Sequence, residues 1–444
     1  MYLINSSLRL LPVLLLSIIF SACEQKVGNT ISPPNIIVFF TDDQGYADLG
    51  VYGAEDFETP HLDQLASEGI RFTNFYVPAT VCTPSRAGLL TGQYPKRSNL
   101  HEAVLFPYSE GGLSPQAFTM AELLKGAGYS TACIGKWNLG HKDEYMPYNQ
   151  GFDTFYGVPY SNDMDNYYYK NIDFQSPPLP FYENTKVIEN GPDQRYLTKR
   201  YTEETVKRIK NRGEKPFFIY LAHNMPHTPL FASPAFEGKS KNGLYGDVIM
   251  ELDWRAGEII NALKEEGIYE NTIFVFTSDN GPAKGSAKPL RGKKAQTWEG
   301  GQRVPGIITW PGSIPRGVVT DEFVSTLDLF PTFAKLASTK IPEEIKIDGM
   351  DISAFLMNPK NENLPERPFY FYARNGELEA IRLGKWKLHT KKSIGWNEKS
   401  EGSFLVSLYD LENDVSEKTN VAELHPKIVN KLTIMAQEFD SSLQ

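Results

Sequence analysis

The chain has 444 residues, 41% of them apolar and 22% charged, with 45 Lys and Arg against 54 Asp and Glu for a net charge of -9. That balance excludes a mainly disordered or fibrous chain. Without a basic surplus it also argues against nucleic-acid binding, while a local basic pocket for an anionic substrate remains open. The length exceeds what one core usually accommodates, so a large domain with a smaller one is expected.

An apolar run of eleven, residues 10–20 (LLPVLLLSIIF), follows Arg9 and precedes Ser21-Ala22-Cys23. A membrane-spanning helix needs about 20 apolar residues, so residues 1–22 read as an export signal. A cysteine after two small residues resembles the lipobox of bacterial lipoproteins, with Phe20 where leucine is commoner. Lipidation would make Cys23 the first mature residue; the alternative is plain cleavage near Ala22. The expectation is an exported bacterial protein, periplasmic or in the outer membrane, held to a membrane by a lipid anchor alone. The polar, Pro-containing residues 24–34 read as a tether. Only Cys82 and Cys133 then remain, too few for a disulfide scaffold. One bridge between them and two buried thiols are the plain readings, and Cys133 in a β-rich run reads as core.

Residues 35–41 (NIIVFFT), 70–76, 129–135, 217–222, 272–278 and 304–310 are short β-rich runs. Most are continuously apolar, as expected of strands covered on both faces. Helices are predicted between them at 60–68 behind a Thr59 cap, at 117–125, at 202–210, and at 247–266 with Gly267 closing the last. This alternation predicts an α/β domain over residues 35–355, with a large, mostly parallel mixed sheet sandwiched by helices. Four short runs, 369–373, 380–383, 386–389 and 404–409, then crowd together before a helical tail at 427–439. They predict a smaller antiparallel sheet plus helix over residues 356–444.

Open α/β sheets bind ligands past the carboxyl ends of their strands. Asp42-Asp43 follows the first run and Asp279-Asn280-Gly281 follows TIFVFTS. Three carboxylates and an amide suit a hard divalent cation, although each cluster alone also suits a turn or cap. Cys82-Thr83-Pro84-Ser85-Arg86 opens a helical stretch, with Pro84 read at the first helical position. A cysteine there faces the positive end of the helix dipole with a guanidinium one turn on; an unmodified thiolate nucleophile is one reading.

With these residues the chain resembles the formylglycine-dependent sulfatases of the alkaline phosphatase superfamily, arylsulfatase-like in pattern. C-T-P-S-R at Cys82 is followed by A-G-L-L-T-G, and joined by the D-D and D-N-G clusters. G-K-W at Gly135, M-P-H-T-P at Met225 and W-E-G-G-Q-R-V-P at Trp298 follow in family order, and L-Y-D-L-E-N-D at Leu408 matches the C-terminal region. The resemblance implies that a separate maturation enzyme oxidises Cys82 to formylglycine, whose hydrated aldehyde is the nucleophile. It implies that Asp42, Asp43, Asp279 and Asn280, with modified Cys82, hold calcium, magnesium being the second choice. Arg86 would position modified Cys82, and Lys136, His227 and Lys294 would surround the sulfate and leaving group. Ser161 matches a sulfate-side serine.

One position departs from the pattern. The family reads G-K-W-H-L-G, and this chain has Asn138 in place of the histidine that contacts the formylglycine hydroxyl and assists sulfate release. Asn138 can bind substrate-side groups by hydrogen bonds but is no base. His141 and His223 are the nearest substitutes in sequence, and each also reads as a packing residue. The expected function is hydrolysis of sulfate esters of carbohydrates. A phosphate or phosphonate ester hydrolase of the same superfamily is the nearest alternative, less suited because one metal-ligand set is evident. A glycan-binding homologue impaired by Asn138 is the other. Tyr167-Tyr168-Tyr169, Phe174 and Phe181 read equally as sugar-stacking rings or loop anchors.

Overall fold

The computed structural model describes Tyr2 and residues 33–102, 104–166, 176–396 and 404–443. The export signal apart from Tyr2, Cys23, most of the tether, Tyr167-Tyr168-Tyr169 and Phe174 lie outside the described residues. No helix of the described residues is long and apolar enough to cross a membrane.

The strands in chain order are β1 (Asn35–Thr41), β2 (Ile70–Tyr76), β3 (Ser130–Lys136), β4 (Thr154–Val158), β5 (Pro180–Glu183), β6 (Lys186–Asn190), β7 (Phe217–Ala222), β8 (Thr272–Ser278), β9 (Arg303–Thr309), β10 (Val318–Thr320) and β11 (Val324–Ser325). They form one mixed sheet in the order β10-β2-β9-β8-β1-β7-β3-β4-β5-β6, with β11 also on β2. Its centre, β8-β1-β7-β3-β4, is parallel throughout. The remaining strands are β12 (Pro368–Tyr372), β13 (Leu378–Leu383), β14 (Trp386–His389) and β15 (Ser407–Asp410), an antiparallel sheet in sequential order. The helices are α1 (Pro60–Ser67), α2 (Cys82–Thr91), α3 (Met120–Gly126), α4 (Leu197–Lys210), α5 (Gly243–Glu265), α6 (Glu299–Gln302), α7 (Leu329–Leu336), α8 (Ser353–Met357) and α9 (Pro426–Ser441).

Strand β1 shows why the central runs read as continuously apolar. Ile36, Val38 and Phe40 enter one core cluster, while Ile37 and Phe39 enter the cluster on the opposite face. Successive side chains alternate across a strand, so a sheet covered on both faces needs apolar residues at every position. A third cluster joins Tyr76 and Tyr94 to Phe369, Phe371, Ile381 and Leu388, seating the small sheet against the large one.

Several boundaries moved for identifiable reasons. Helix α4 starts five residues before its predicted start at Thr202. Its β-branched positions lower helix propensity, but Thr202 and Thr205 turn their hydroxyls to the carbonyls of Thr198 and Tyr201 (2.9 and 2.8 Å). Helix α2 begins at Cys82, so Pro84 is its third residue rather than its first. Thr59 does not cap α1: its hydroxyl accepts from the Gly50 N–H at 2.8 Å. Asp253 of α5 receives the α1 amide of Leu62 instead, at 2.8 Å. Cys82 and Cys133 are both buried free thiols, and Phe181 is core, stacked on Tyr201 at 6.1 Å, not a sugar-facing ring.

Candidate active site

The five parallel central strands deliver most of the polar residues at their carboxyl ends. Asp42 and Asp43 follow β1, His223 follows β7, Asp279 and Asn280 follow β8, Lys136 ends β3, and Ser161 lies just beyond β4. Parallel alignment puts these ends side by side: Lys136 pairs with Val158 in register, and Thr41 with Ser278. Two glycines allow the approach. At Gly135 (φ 108°) a Cβ would fall 1.9 Å from the Ala222 carbonyl oxygen, and at Gly281 it would fall 1.8 Å from that of Gly300. Only glycine fits either place.

The assembled groups form a continuous charged network. Lys136 Nζ donates to Asp42 Oδ2 at 2.5 Å and to Ser161 Oγ at 3.2 Å. Arg86 reaches Asp279 Oδ2 through Nε and Nη2 at 3.1 and 2.9 Å, donates to the Lys136 carbonyl at 3.0 Å, and lies 3.7 Å from Asp42. Lys294 Nζ sits 2.8 Å from Asp43 Oδ1, and His227 Nε2 lies 3.6 Å from Asp43 Oδ2. The Asp43 amide donates to Asp279 Oδ1 at 3.0 Å and Asn280 Nδ2 donates to Asp43 Oδ1 at 2.7 Å. Every one of these side chains is buried.

Three carboxylates therefore meet three permanent cations in a site shielded from water. Burial opposes ionisation of Asp42, but Lys136, His227, Arg86 and Lys294 outweigh it and hold the carboxyl far below the usual range. Burial and the charges of Asp42 and Asp43 push Asp279 upward, despite Arg86. Crowded acids of this kind leave room for a cation. Two buried oxygens, Asp42 Oδ1 and Asn280 Oδ1, have no hydrogen-bond partner. Ligand atoms of Asp42, Cys82 and Asp279 all lie within 4.8 Å of one another, as do those of Asp42, Asp43 and His227. This oxygen-rich donor set fits a hard divalent ion.

Cys82 begins α2, every residue of which is buried. Burial pushes its thiol above the ordinary range, and Asp42 and Asp279 add to this against Lys136 and Lys294. The unmodified thiolate reading is therefore disfavoured, because the nucleophilic form is the one burial penalises. Asn138, in the left-handed region at φ 57°, points its Nδ2 at Cys82 Sγ (3.2 Å) and at Thr83 Oγ1 (2.9 Å). Thr83 in turn donates to the Asn138 carbonyl at 3.0 Å and accepts from the Leu105 amide at 3.1 Å. Sequence reasoning left Thr83 without a role; its only signal was a hydroxyl beside the cysteine.

The eleven residues singled out from the acid clusters, the cysteine motif and the family resemblance are thus brought together: Asp42, Asp43, Cys82, Arg86, Lys136, Asn138, Ser161, His227, Asp279, Asn280 and Lys294. The two substitute histidines are not. His223 stacks on Phe39 at 4.5 Å with both ring nitrogens unpartnered, and burial drives its pKa down to about 3. His141 packs edge-on against Tyr160 at 6.1 Å. Neither hydrogen-bonds Cys82 among the described residues.

A family model described as Sulfatase matches residues 34–339, well over half of the chain. The chain belongs to the sulfatase family. A second model, N-sulphoglucosamine sulphohydrolase, C-terminal, matches residues 293–440 of this sulfatase. Arylsulfatase A of Homo sapiens is 38% identical, over 90% of this chain and 86% of that protein. N-acetylgalactosamine-6-sulfatase of Sus scrofa is 36% identical, over 93% of this chain and 82% of that protein. Among solved structures, Ps i-CgsB in complex with k-i-k-neocarrahexaose superposes with a TM-score of 0.82 at 30% identity, covering 93% of this chain and 94% of that one. The PsFucS1 sulfatase from Pseudoalteromonas sp. gives 0.82 at 28% identity, covering 93% and 90%. The chain is a sulfuric ester hydrolase with the alkaline phosphatase-like fold.

Proposed function

We propose that this sulfatase removes sulfate from sulfated carbohydrates, using a formylglycine made from Cys82 and a calcium ion held by Asp42, Asp43, Asp279 and Asn280. The observation that carries the reading is Cys82 buried among Lys136, Lys294, Asn138 and three carboxylates, two of whose neighbouring oxygens await a partner. The carbohydrate class is supported by relatives that act on or bind such molecules, N-acetylgalactosamine-6-sulfatase and the carrahexaose complex. When present, the formylglycine diol supplies an oxygen nucleophile that a thiol does not. The ion, when bound, supplies positive charge beside the sulfate oxygens.

The chain's own residues account for the rest. A sulfate monoester carries one negative charge, and its departing oxygen gains another as the S–O bond breaks. Lys136 and Lys294 offer fixed ammonium groups where that charge grows, and Ser161 orients Lys136. Arg86, tied to Asp279 and to the Lys136 carbonyl, holds the N-terminal turn of α2 in place. His227 is 8% exposed and its Nδ1 has no partner, so it can give a proton to the leaving oxygen. Asn138 orients the side chain at position 82 without acting as its base.

The primary test is sulfate release from sulfated mono- and oligosaccharides by material made with a maturation enzyme. Faster cleavage of the phosphate ester of the same alcohol would instead select the phosphohydrolase alternative; binding without release would select the inert one. Chelation should lower activity at least about tenfold and lower the thermal midpoint, with calcium restoring both better than magnesium. An unchanged midpoint would count against the ion.

Asn138→His should raise turnover by about tenfold or more, since a placed base is worth roughly 10² or more, and histidine tolerates the left-handed backbone there. The gain should fade below about pH 6.5 as the imidazole protonates. No gain would mean that another group already serves as base. Further elements of the reading are export with lipidation at Cys23 to the periplasm or outer membrane, and a division into catalytic (35–355) and C-terminal (356–444) parts. The leader sequence supports the first, and the separate antiparallel sheet supports the second.

A further inference from the structure

We propose that Arg374, laid over the ring of Trp396, forms a subsite for a second anionic group on the saccharide, a sulfate or carboxylate beside the scissile sulfate. The inference rests on the proposed carbohydrate function and deepens it.

The connection to the active site runs through the backbone. Arg374 lies on the hairpin between β12 and β13. Tyr372 pairs in parallel with Ala79, three residues before Cys82, so Arg374 runs alongside the approach to the nucleophile position. Asn375 pairs with Glu102, and Leu105 of that same segment donates to Thr83 beside Cys82 at 3.1 Å. On the other flank, Ala295 donates to the Thr80 carbonyl at 2.9 Å, and Thr297 to Ser393 Oγ at 2.8 Å, three residues short of Trp396. The small sheet thus supplies two segments to the rim of a site built on the large one.

The side chains at that rim suit an anion. The Arg374 guanidinium carbon is 5.0 Å from the Trp396 ring centroid, and Trp396 is 47% exposed. Arg374 makes no ion pair among the described residues, and its buried Nε has no hydrogen-bond partner. Of the nearby acids, Glu377 faces Lys391 at 3.3 Å, Glu379 accepts from Thr297 Oγ1 at 2.6 Å, and Glu102 is 76% exposed, where solvent screens its charge. A half-buried guanidinium without a carboxylate keeps its planar fork free for a sulfate or carboxylate. The tryptophan face holds the fork flat and offers apolar surface to a sugar ring. The hydrolytic groups at Asp42, Cys82 and Lys136 already account for one sulfate, so Arg374 addresses another charge.

The test uses calorimetry on the full mature chain carrying Cys82→Ser, which prevents turnover. Three probes separate the sources: a galactose monosulfate, an ι-carrageenan oligosaccharide with several sulfates and no carboxylate, and a monosulfated chondroitin disaccharide with one carboxylate. The parent should bind at least one of the latter two several-fold more tightly than the monosulfate. Arg374→Gln should weaken that probe roughly tenfold and the monosulfate less than about twofold, with Arg374→Lys recovering part. Loss on the carrageenan probe assigns sulfate; loss on the chondroitin probe assigns carboxylate. Equal loss on all probes, no loss, or no preference for the polyanionic probes overturns the subsite. An enzyme that binds as expected yet never releases sulfate would sink the hydrolytic reading and leave the subsite standing.

Discussion

Replacing Cys82 by alanine should cut sulfate release by at least about three orders of magnitude, the scale on which enzymes lose a nucleophile. The folded state should barely notice. Cys82 is a small buried residue whose one side-chain hydrogen bond among the described residues comes from the Asn138 amide at 3.2 Å, so the stability loss should stay near the usual range of about 1 kcal/mol for modest truncations. The pairing of a large kinetic loss with a small stability loss distinguishes a reacting group from a packing group. The same experiment carries a covalent readout. Mass spectrometry of the peptide spanning Cys82, from protein made with a maturation enzyme, should show an aldehyde in place of the thiol. Full activity with an intact thiol would remove the proposed mechanism, because burial pushes that thiol up and away from its nucleophilic form.

The second large effect lies away from the chemistry. Lys387 on β14 is completely buried between Glu299 of α6 (2.9 Å) and Glu417 (3.1 Å), with His389 also on Glu417 at 3.1 Å. Burial opposes ionisation of Glu299, but Lys387, Arg382 and Arg303 overcome it and hold its carboxyl below the usual range. This cluster ties the small sheet to the W-E-G-G segment of the large domain. Lys387→Met should destabilise the protein by about 3–5 kcal/mol, because Glu417 is left buried without a permanently charged partner. Denaturant unfolding would read the loss, and limited proteolysis should open residues 356–444 first. Adding Glu417→Gln should recover part of it, as removing both members of a buried pair costs less than removing one. A shift under about 1 kcal/mol in the single variant would show that the network is not what seats the sheet.

The central strands and both acid clusters were legible because their patterns are local. A strand covered on both faces must be apolar throughout, and NIIVFFT followed by Asp42-Asp43 states both the strand and its functional end. The strands β4, β5, β6, β10 and β11 escaped notice: β10 and β11 span only three and two residues, β4 is interrupted by Gly157, and β5 and β6 have few buried apolar positions. Thr59 looked like a helix cap by position, yet Asp253, 191 residues from Leu62, does that work. Phe181, which read equally as a sugar platform or a loop anchor, is core. His141 and His223 were close to Asn138 or the strand end in sequence, and packing turned both toward other rings.

The linear order of residues was enough to determine the layered α/β class, the cysteine motif and the acid clusters, because residue type and period express burial and chemistry directly; the lysines were singled out by the resemblance to the sulfatases. Which groups touch was decided only in three dimensions: Lys136 on Asp42, Arg86 on Asp279, Asn138 on position 82, and Arg374 on Trp396. Those contacts join residues tens to hundreds of positions apart. They exist because parallel strands align their carboxyl ends and because a second sheet docks beside them, and no local pattern encodes either alignment.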